Sequence, residues 1–362
     1  MKLSEFKFPQ LKDDDIALYP PRHRDECKLM VIHKKSEKID MFKEDGTTYM
    51  NFRDVLNYFG EGDTFLFNDT KVFPSRLYGT KEKTDAMIEV FLLRELNTEM
   101  RLWDVLVEPA RKIRIGNKLF FDEDGIMVAE VIDNTTSRGR TLRFLHEGDH
   151  DEFKAALYAL GEAPLPYYII EHRKAEPEDL ENFQCIFAKN EGAVTAPTSG
   201  LHFSREVMKI MEIKDINKAF ITMHSSLANF NPIDVEDLSK HRMDSEQMFI
   251  NAEACELVNT AKDKGHHVVA VGTSVVRASE TAVGTDGYLK EYEGWTNKFI
   301  FPPYSFGVAD CMIGNFYHPL SIQLMVECAF GGFDLIKTAY DKALENGYKF
   351  GCYGDAMLIL ND

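Results

Sequence analysis

A chain of 362 residues, 44% hydrophobic and 28% charged, is too long for one small core and reads as about two globular domains. Its formal net charge of −17 excludes a protein that is basic throughout, and no window nears the roughly 18 apolar residues of a membrane helix. The charged start MKLSEFKFPQLKDDD lacks the apolar stretch of a signal peptide, so a cytoplasmic location with no membrane partner is expected. Cys27, Cys185, Cys255, Cys311, Cys328 and Cys352 are widely spaced with no C-x-x-C pair; they are expected to be reduced, mostly buried thiols.

Along the chain, short apolar runs come first. TFLF, AMIEVFLL, RLWDVLVE, NKLFF, IMVAEVI and RTLRFL are separated by turn chemistry such as Asp122 to Gly125, and 134–139 reads as a hairpin turn. This predicts a small antiparallel barrel or sandwich. From about 150 the texture changes to helices alternating with strands. DEFKAALYAL reads as a helix. Ser204 is placed to cap REVMKIMEI, and KAFITMH reads as a strand. AEACELVNTAKDKG reads as a helix stopped by Gly265, followed by the strand HHVVAVG and the helix TSVVRASETA. FDLIKTAYDKALENG is another amphipathic helix, and AMLIL a strand. The predicted fold is an α/β main domain, a layered mixed sheet with helices, over 1–67 and 149–362. A small antiparallel β-barrel is inserted at 68–148.

The acidity is uneven. Between Asn68 and His150, 13 Lys and Arg stand against 15 Asp and Glu, leaving −15 on the rest. Arg111, Lys112 and Arg114 fall in this near-neutral part. Solvated strand faces explain such clusters; a phosphate-binding surface is the sharper alternative.

Several stretches carry polar groups in unusual density. FNDTKVFPSRL, residues 67–77, puts Asn68 and Asp69 in a turn and Arg76 in the next strand; a domain-crossing turn and a ligand loop are both open. AKNEGAVTAPTSGLHFS, residues 188–204, joins Pro197, Thr198 and Gly200 to His202 just ahead of a helix, where backbone N–H groups favour anionic oxygens. For His202, a hydrogen-bonded structural histidine stands against a catalytic one. In VGTSVVRASE, Thr273 opens a helix at the carboxyl end of a strand, where ligands sit in α/β sheets; Arg277 and Glu280, three apart, could equally be a surface pair. His224, His241, Asp244 and Glu246 share one region, but their spacing does not require convergence, so no metal is expected. G-x-G-x-x-G and P-loop signatures are absent, and no resident cofactor is expected.

In order, FNDTKVFPSRL, WDVLVEPARKIRIGNKL, PLPYYI, AKNEGAVTAPTSGLHF, the H-R-M-x-S-E run of 241–246, GTSVVR and YGDAM resemble successive blocks of the S-adenosylmethionine:tRNA ribosyltransferase-isomerases of queuosine biosynthesis. The resemblance spans nearly the whole chain. It implies transfer and isomerisation of the ribosyl group of S-adenosylmethionine onto a 7-aminomethyl-7-deazaguanine base in tRNA, releasing adenine and methionine. S-adenosylmethionine is then a co-substrate, and tRNA the partner. It also implies a catalytic set of His202, Arg277 and Glu280. Asn68, Asp69, Arg76, Pro197, Thr198, Gly200, Thr273, Asn315, His318 and Asp355 are implied as substrate-binding residues, and Arg111, Lys112 and Arg114 as tRNA-binding. A diverged paralog acting on another nucleoside or small substrate, or a non-catalytic tRNA- or adenosine-binding protein, shares the same resemblance.

The chain departs from the family pattern in three places. T-N-F-H-x-P-K-S-T appears as GNFYHPLSI, with Tyr317 at the histidine and Leu320 at the lysine, the latter expected in the first turn of a helix. A glycine-rich run ending in Arg-Pro appears as SLANFNP, with Asn231 at the arginine, and a Ser-Arg pair appears as Cys27-Lys28. The lost cations are groups that could hold a carboxylate or a phosphate.

Overall fold

The computed structural model describes residues 2–122, 124–226 and 232–362. Packing divides the chain into two compact units. The first comprises Met1–Lys71, Gln184–Asn190 and Ala196–Asp362; the second comprises Val72–Phe183 and Glu191–Thr195.

The first unit is built on a nine-stranded mixed sheet. Its order is Tyr292–Thr296, Glu246–Ile250, Asn217–Met223, Thr64–Asn68, Val268–Val271, Cys311–Asn315, Ala356–Leu360, Leu29–His33 and Lys38–Asp40. The four strands from Asn217–Met223 to Cys311–Asn315 run parallel, and Ala356–Leu360 returns antiparallel to the last of them. Strand alternation sends side chains to two separate cores. Met30, Ile32, Leu66, Ala270, Met312, Met357 and Ile359 enter one; Leu29, Val31, Phe65, Phe67, Val269, Ile313 and Leu358 enter the other. Both faces are covered, which is why these strands read as continuous apolar runs.

Local chemistry sets the helices. Ser204 accepts the Val207 N–H at 3.1 Å and caps Arg205–Ile213, as its sequence context predicts. Ala252–Lys264 ends at Gly265, whose φ of 72° is the left-handed conformation that stops a helix at low cost. No helix among the described residues is long and apolar enough to cross a membrane.

The second unit contains a closed six-stranded antiparallel barrel. Its order is Gly139–Leu145, Leu102–Glu108, Ala86–Asn97, Arg76–Lys81, Lys118–Phe120 and Val128–Asn134. Trp103, Val105 and Val107 are buried while Asp104 and Glu108 are not, the two-residue period of a strand with one face in a core. Helix His150–Leu160 follows, capped by Asp149, and sets Phe153 against Phe144 of the barrel with ring centroids 5.4 Å apart. Residues 149–183, expected with the α/β part, therefore lie in the barrel-containing unit.

Candidate functional site at the carboxyl edge of the sheet

Strand register gathers distant residues at one edge of the sheet unit. The parallel strands end at Asn68, Met223, Val271 and Asn315. Asn315 is opposite Ala356, and Ala356 is opposite Leu29. The residues just ahead of those two strands, Asp355, Cys27 and Lys28, therefore arrive beside Asn315. The carboxylate of Asp355 locks this arrangement, accepting the backbone N–H of Lys28 at 2.6 Å and of Lys349 at 2.7 Å. Burial raises its pKa, and these two N–H groups oppose the rise.

The segment Thr198–His202 forms a short 3-10 turn against this edge. His202 is 3% exposed. Its Nε2 lies 3.2 Å from Asn315 Oδ1 and its Nδ1 3.2 Å from Cys27 Sγ, with Phe52 against its ring. Burial pulls its pKa down to about 4, so it is neutral at neutral pH. Ser199 and Thr198 face the Tyr317 hydroxyl at 3.2 and 3.5 Å. Burial lifts the pKa of Tyr317 to about 12, with the nearby Glu327 carboxyl a second cause, and keeps it a donor. Two glycines permit the close packing. A Cβ on Gly200 would lie 2.8 Å from Cys185 Sγ, so this glycine serves protein packing rather than a ligand's approach. Gly272 opens the helix Thr273–Ala282 at φ 95°, a conformation that favours glycine, and a Cβ there would meet Ser199.

The other expected site residues divide. Asn68 is consumed by the backbone: Oδ1 accepts from Met223 and Thr70 N–H groups, and Nδ2 donates to Met223 O at 3.0 Å. Asp69 accepts from Thr222 Oγ1 at 2.6 Å and from Asn190. Arg277 and Glu280 are buried rather than a surface pair. Arg277 pairs with Glu246 at 2.6 Å and donates to Lys298 O, while Glu280 accepts the N–H groups of Gly307 and Val308 and the Tyr304 hydroxyl. No hydrogen bond among the described residues joins either to His202. Glu280 thus braces residues 304–308, which with Lys262, His266 and Asp310 line a cleft of about 550 Å³ that His202 and Asn315 do not enter. His318 is half-buried, and burial lowers its pKa.

Arg76, in the barrel unit, is buried against Phe91 and Tyr167, pairs with Glu89 and donates to Leu165 O at 3.0 Å. Arg111, Lys112 and Arg114 are all exposed.

The departures resolve differently. Lys28 donates to Asn346 O and Gly347 O just past the helix Phe333–Glu345, with its ammonium over the Tyr49 ring. It closes a helix end rather than offering a free cation. Leu320 is not in the first helical turn: Ser321 caps Ile322–Gly331, and Leu320 precedes the cap at a φ of 64°. Asn231 lies outside the described residues.

His224 faces Thr70, the His241 ring packs tilted against Phe299, and Glu246 holds Arg277, so the region picked out by spacing is used in other ways. The described groups that could hold a metal are at the opposite edge, where His267 Nδ1, Asp310 and Cys311 Sγ offer donor atoms within 4.8 Å of one another. Sequence reading placed Ser199 only as part of the hydroxyl-rich loop and marked Cys27 and Tyr317 only as departures from the family pattern; their contacts with His202 and with Ser199 follow from register.

Comparison with known proteins bears on the whole chain. Residues 3–359 match the family described as Queuosine biosynthesis protein. A protein of Phocaeicola vulgatus named S-adenosylmethionine:tRNA ribosyltransferase-isomerase is 66% identical over 361 residues, covering 100% of both chains. One of the same name from Flavobacterium psychrophilum is 57% identical, covering 99% of this chain and 100% of its own. The crystal structure of S-adenosylmethionine tRNA ribosyltransferase from Thermotoga maritima is similar at a TM-score of 0.54 and 27% identity, covering 98% of this chain and 100% of the other.

Proposed function

We infer the function from one premise: the chain belongs to the queuosine biosynthesis protein family. It is an S-adenosylmethionine:tRNA ribosyltransferase-isomerase, and its role is queuosine modification of tRNA. The observation that carries this is the 66% identity with a protein of that name along the full length of both chains. S-adenosylmethionine is the ribosyl donor, and a tRNA base bearing an aminomethyl group is the acceptor. Adenine and methionine leave, and the product is epoxyqueuosine in tRNA. A tRNA substrate places the work in the cytoplasm. The scheme calls for no cofactor beyond the co-substrate.

The sulfonium of the donor acidifies hydrogens on the adjacent ribose carbon, so a positioned base can remove one. The amine of the tRNA base is the nucleophile, and departing adenine needs a proton or hydrogen bonds. We place this chemistry at the carboxyl edge, the position at which open α/β sheets bind ligands. Thr198 holds the donor from a turn that Pro197 starts, Gly200 packs and His202 anchors, and Thr273 does so from the helix N-terminus. Asn315 and Asp355 hold that turn and its neighbours in register. An imidazole held near 4 is a weak base at neutral pH, so His202 serves to hold its turn in place for the donor rather than to remove a proton. Arg277 orders the Glu246 side of the site, and Arg111, Lys112 and Arg114 meet tRNA phosphates.

The test incubates the protein with S-adenosylmethionine and tRNA carrying the aminomethyl base. Free adenine and epoxyqueuosine in the tRNA are expected. Absence of both would overturn the assignment and leave a paralog or a binding protein on this fold.

A further inference from the structure

Cys27 is 5% exposed, and its thiol meets a ring nitrogen of His202. The direction of that contact follows from its far end. Asn315 donates its Nδ2 to Gly351 O at 3.2 Å and to Cys352 O at 3.5 Å, so its Oδ1 is the atom facing His202. A carboxamide oxygen only accepts, so Nε2 of His202 carries the hydrogen. In a neutral imidazole the other nitrogen is then bare. Nδ1 accepts, and the S–H of Cys27 donates to it. Burial acts on both groups in the sense this requires, raising the thiol and lowering the imidazole, so neither is charged.

A thiol, an imidazole and a carboxamide in this order also form the machinery of papain-like hydrolases. That reading fails on physical grounds. A nucleophilic cysteine needs a lowered pKa and access to substrate, whereas Cys27 is buried, and burial, aided by Asp355, drives its pKa up. What the chain of bonds does accomplish is mechanical. Three segments far apart in sequence, around Cys27, His202 and Asn315, are joined through one ring. Asn315 alone would leave that ring free to pivot about a single bond, whereas a second donor on the opposite nitrogen fixes its plane.

We propose that Cys27 is a positioning residue: by donating its S–H to Nδ1 it holds His202, and with it residues 197–203, in the arrangement that binds the donor substrate. The proposal rests on the functional reading above. It also accounts for one departure from the family pattern, because the serine expected at this position offers the same donor.

Three variants test it, each read in two ways. Imidazole ¹⁵N spectra of the protein without substrate report the tautomer of His202, and adenine release reports KM for S-adenosylmethionine separately from kcat. Wild type and Cys27→Ser are expected to show the Nε2–H tautomer with KM values within about three-fold of each other. Cys27→Ala should show mixed tautomers and a KM raised about ten-fold, the scale of one lost hydrogen bond, with kcat changed less. Should Cys27→Ala fail to fold, Cys27→Val, of similar volume without a donor, takes its place. A donor-free variant that keeps the wild-type tautomer and the wild-type KM overturns the proposal. If wild type releases no adenine, the functional reading falls, and the spectra alone decide whether Cys27 sets the tautomer.

Discussion

At the carboxyl edge of the nine-stranded sheet the polar side chains are buried and bonded to one another, whereas Arg111, Lys112 and Arg114 of the barrel unit stand exposed. The difference matches two kinds of ligand. A small donor gains from groups already desolvated and oriented, because little ordering remains to be done on binding. A polyanion gains from solvated cations that release counterions, and geometry matters less. One chain can serve both ligands if the two demands are met by separate sets of residues.

Replacing one member of the buried set tests this separation most severely. Asn315→Ala leaves the His202 Nε2–H without its partner, a loss of about 1–3 kcal/mol, and adenine release should fall about 100-fold. Filter-binding affinity for tRNA should stay within about two-fold. An equal fall in both would show that the two sets are not separable.

The next largest effect is on stability. The folded-state pKa of His202, about 4, lies below its ordinary value of 6.5, so the unfolded chain binds more protons in that interval. The contribution of His202 is therefore intact above 6.5 and is lost as pH falls toward 4. Denaturant titrations should show wild type losing about 1.5 kcal/mol more than His202→Gln between pH 6.5 and 5. Equal slopes would mean that the imidazole is not desolvated.

Removing the exposed set should do the opposite of Asn315→Ala. Arg111, Lys112 and Arg114 replaced together by alanine should weaken tRNA binding about ten-fold at low salt and reduce the salt slope by about one per lost phosphate contact. Adenine release at saturating tRNA should not change. Unchanged affinity and slope would move the tRNA surface elsewhere.

The smallest effect concerns the backbone beside the site. Leu320 occupies left-handed space at φ 64°, which β-branched residues tolerate least. Leu320→Val should cost about 1 kcal/mol relative to Leu320→Asn, read as a difference in denaturation midpoint. No difference would mean that the turn relaxes.

What was legible in the sequence was local. The Ser204 cap and the Gly265 stop depend on residues within one turn, and the barrel strands on a two-residue alternation. The contrast of a barrel with an α/β sheet followed from these. The site was legible as a loop, TSGLH, but not as a set of contacts. For Arg277 and Glu280 a surface pair stayed open beside the catalytic reading because the strand Glu246–Ile250 went unread, and with it the partner that draws Arg277 inward. Cys27 was marked by its departure from the family pattern, but its contact was invisible for a stronger reason. Its meeting with His202, 175 positions away, follows from the pairing of Leu29 with Ala356 and of Ala356 with Asn315, and no window of sequence contains that register.

The same register orders events in time. Leu29–His33 is apolar and has two neighbours in the sheet, the three-residue Lys38–Asp40 and Ala356–Leu360. A nascent chain leaving the ribosome makes Leu29 early and its partner Ala356 only 327 residues later. Until then the strand LMVIH has one open edge, a template for pairing with other chains. Cys27 and Lys28 wait with it, because Asp355, the group that fixes Lys28 in place, belongs to the late segment. The part of the carboxyl-edge site that Cys27 and Lys28 supply is therefore completed only when the late strand enters the sheet.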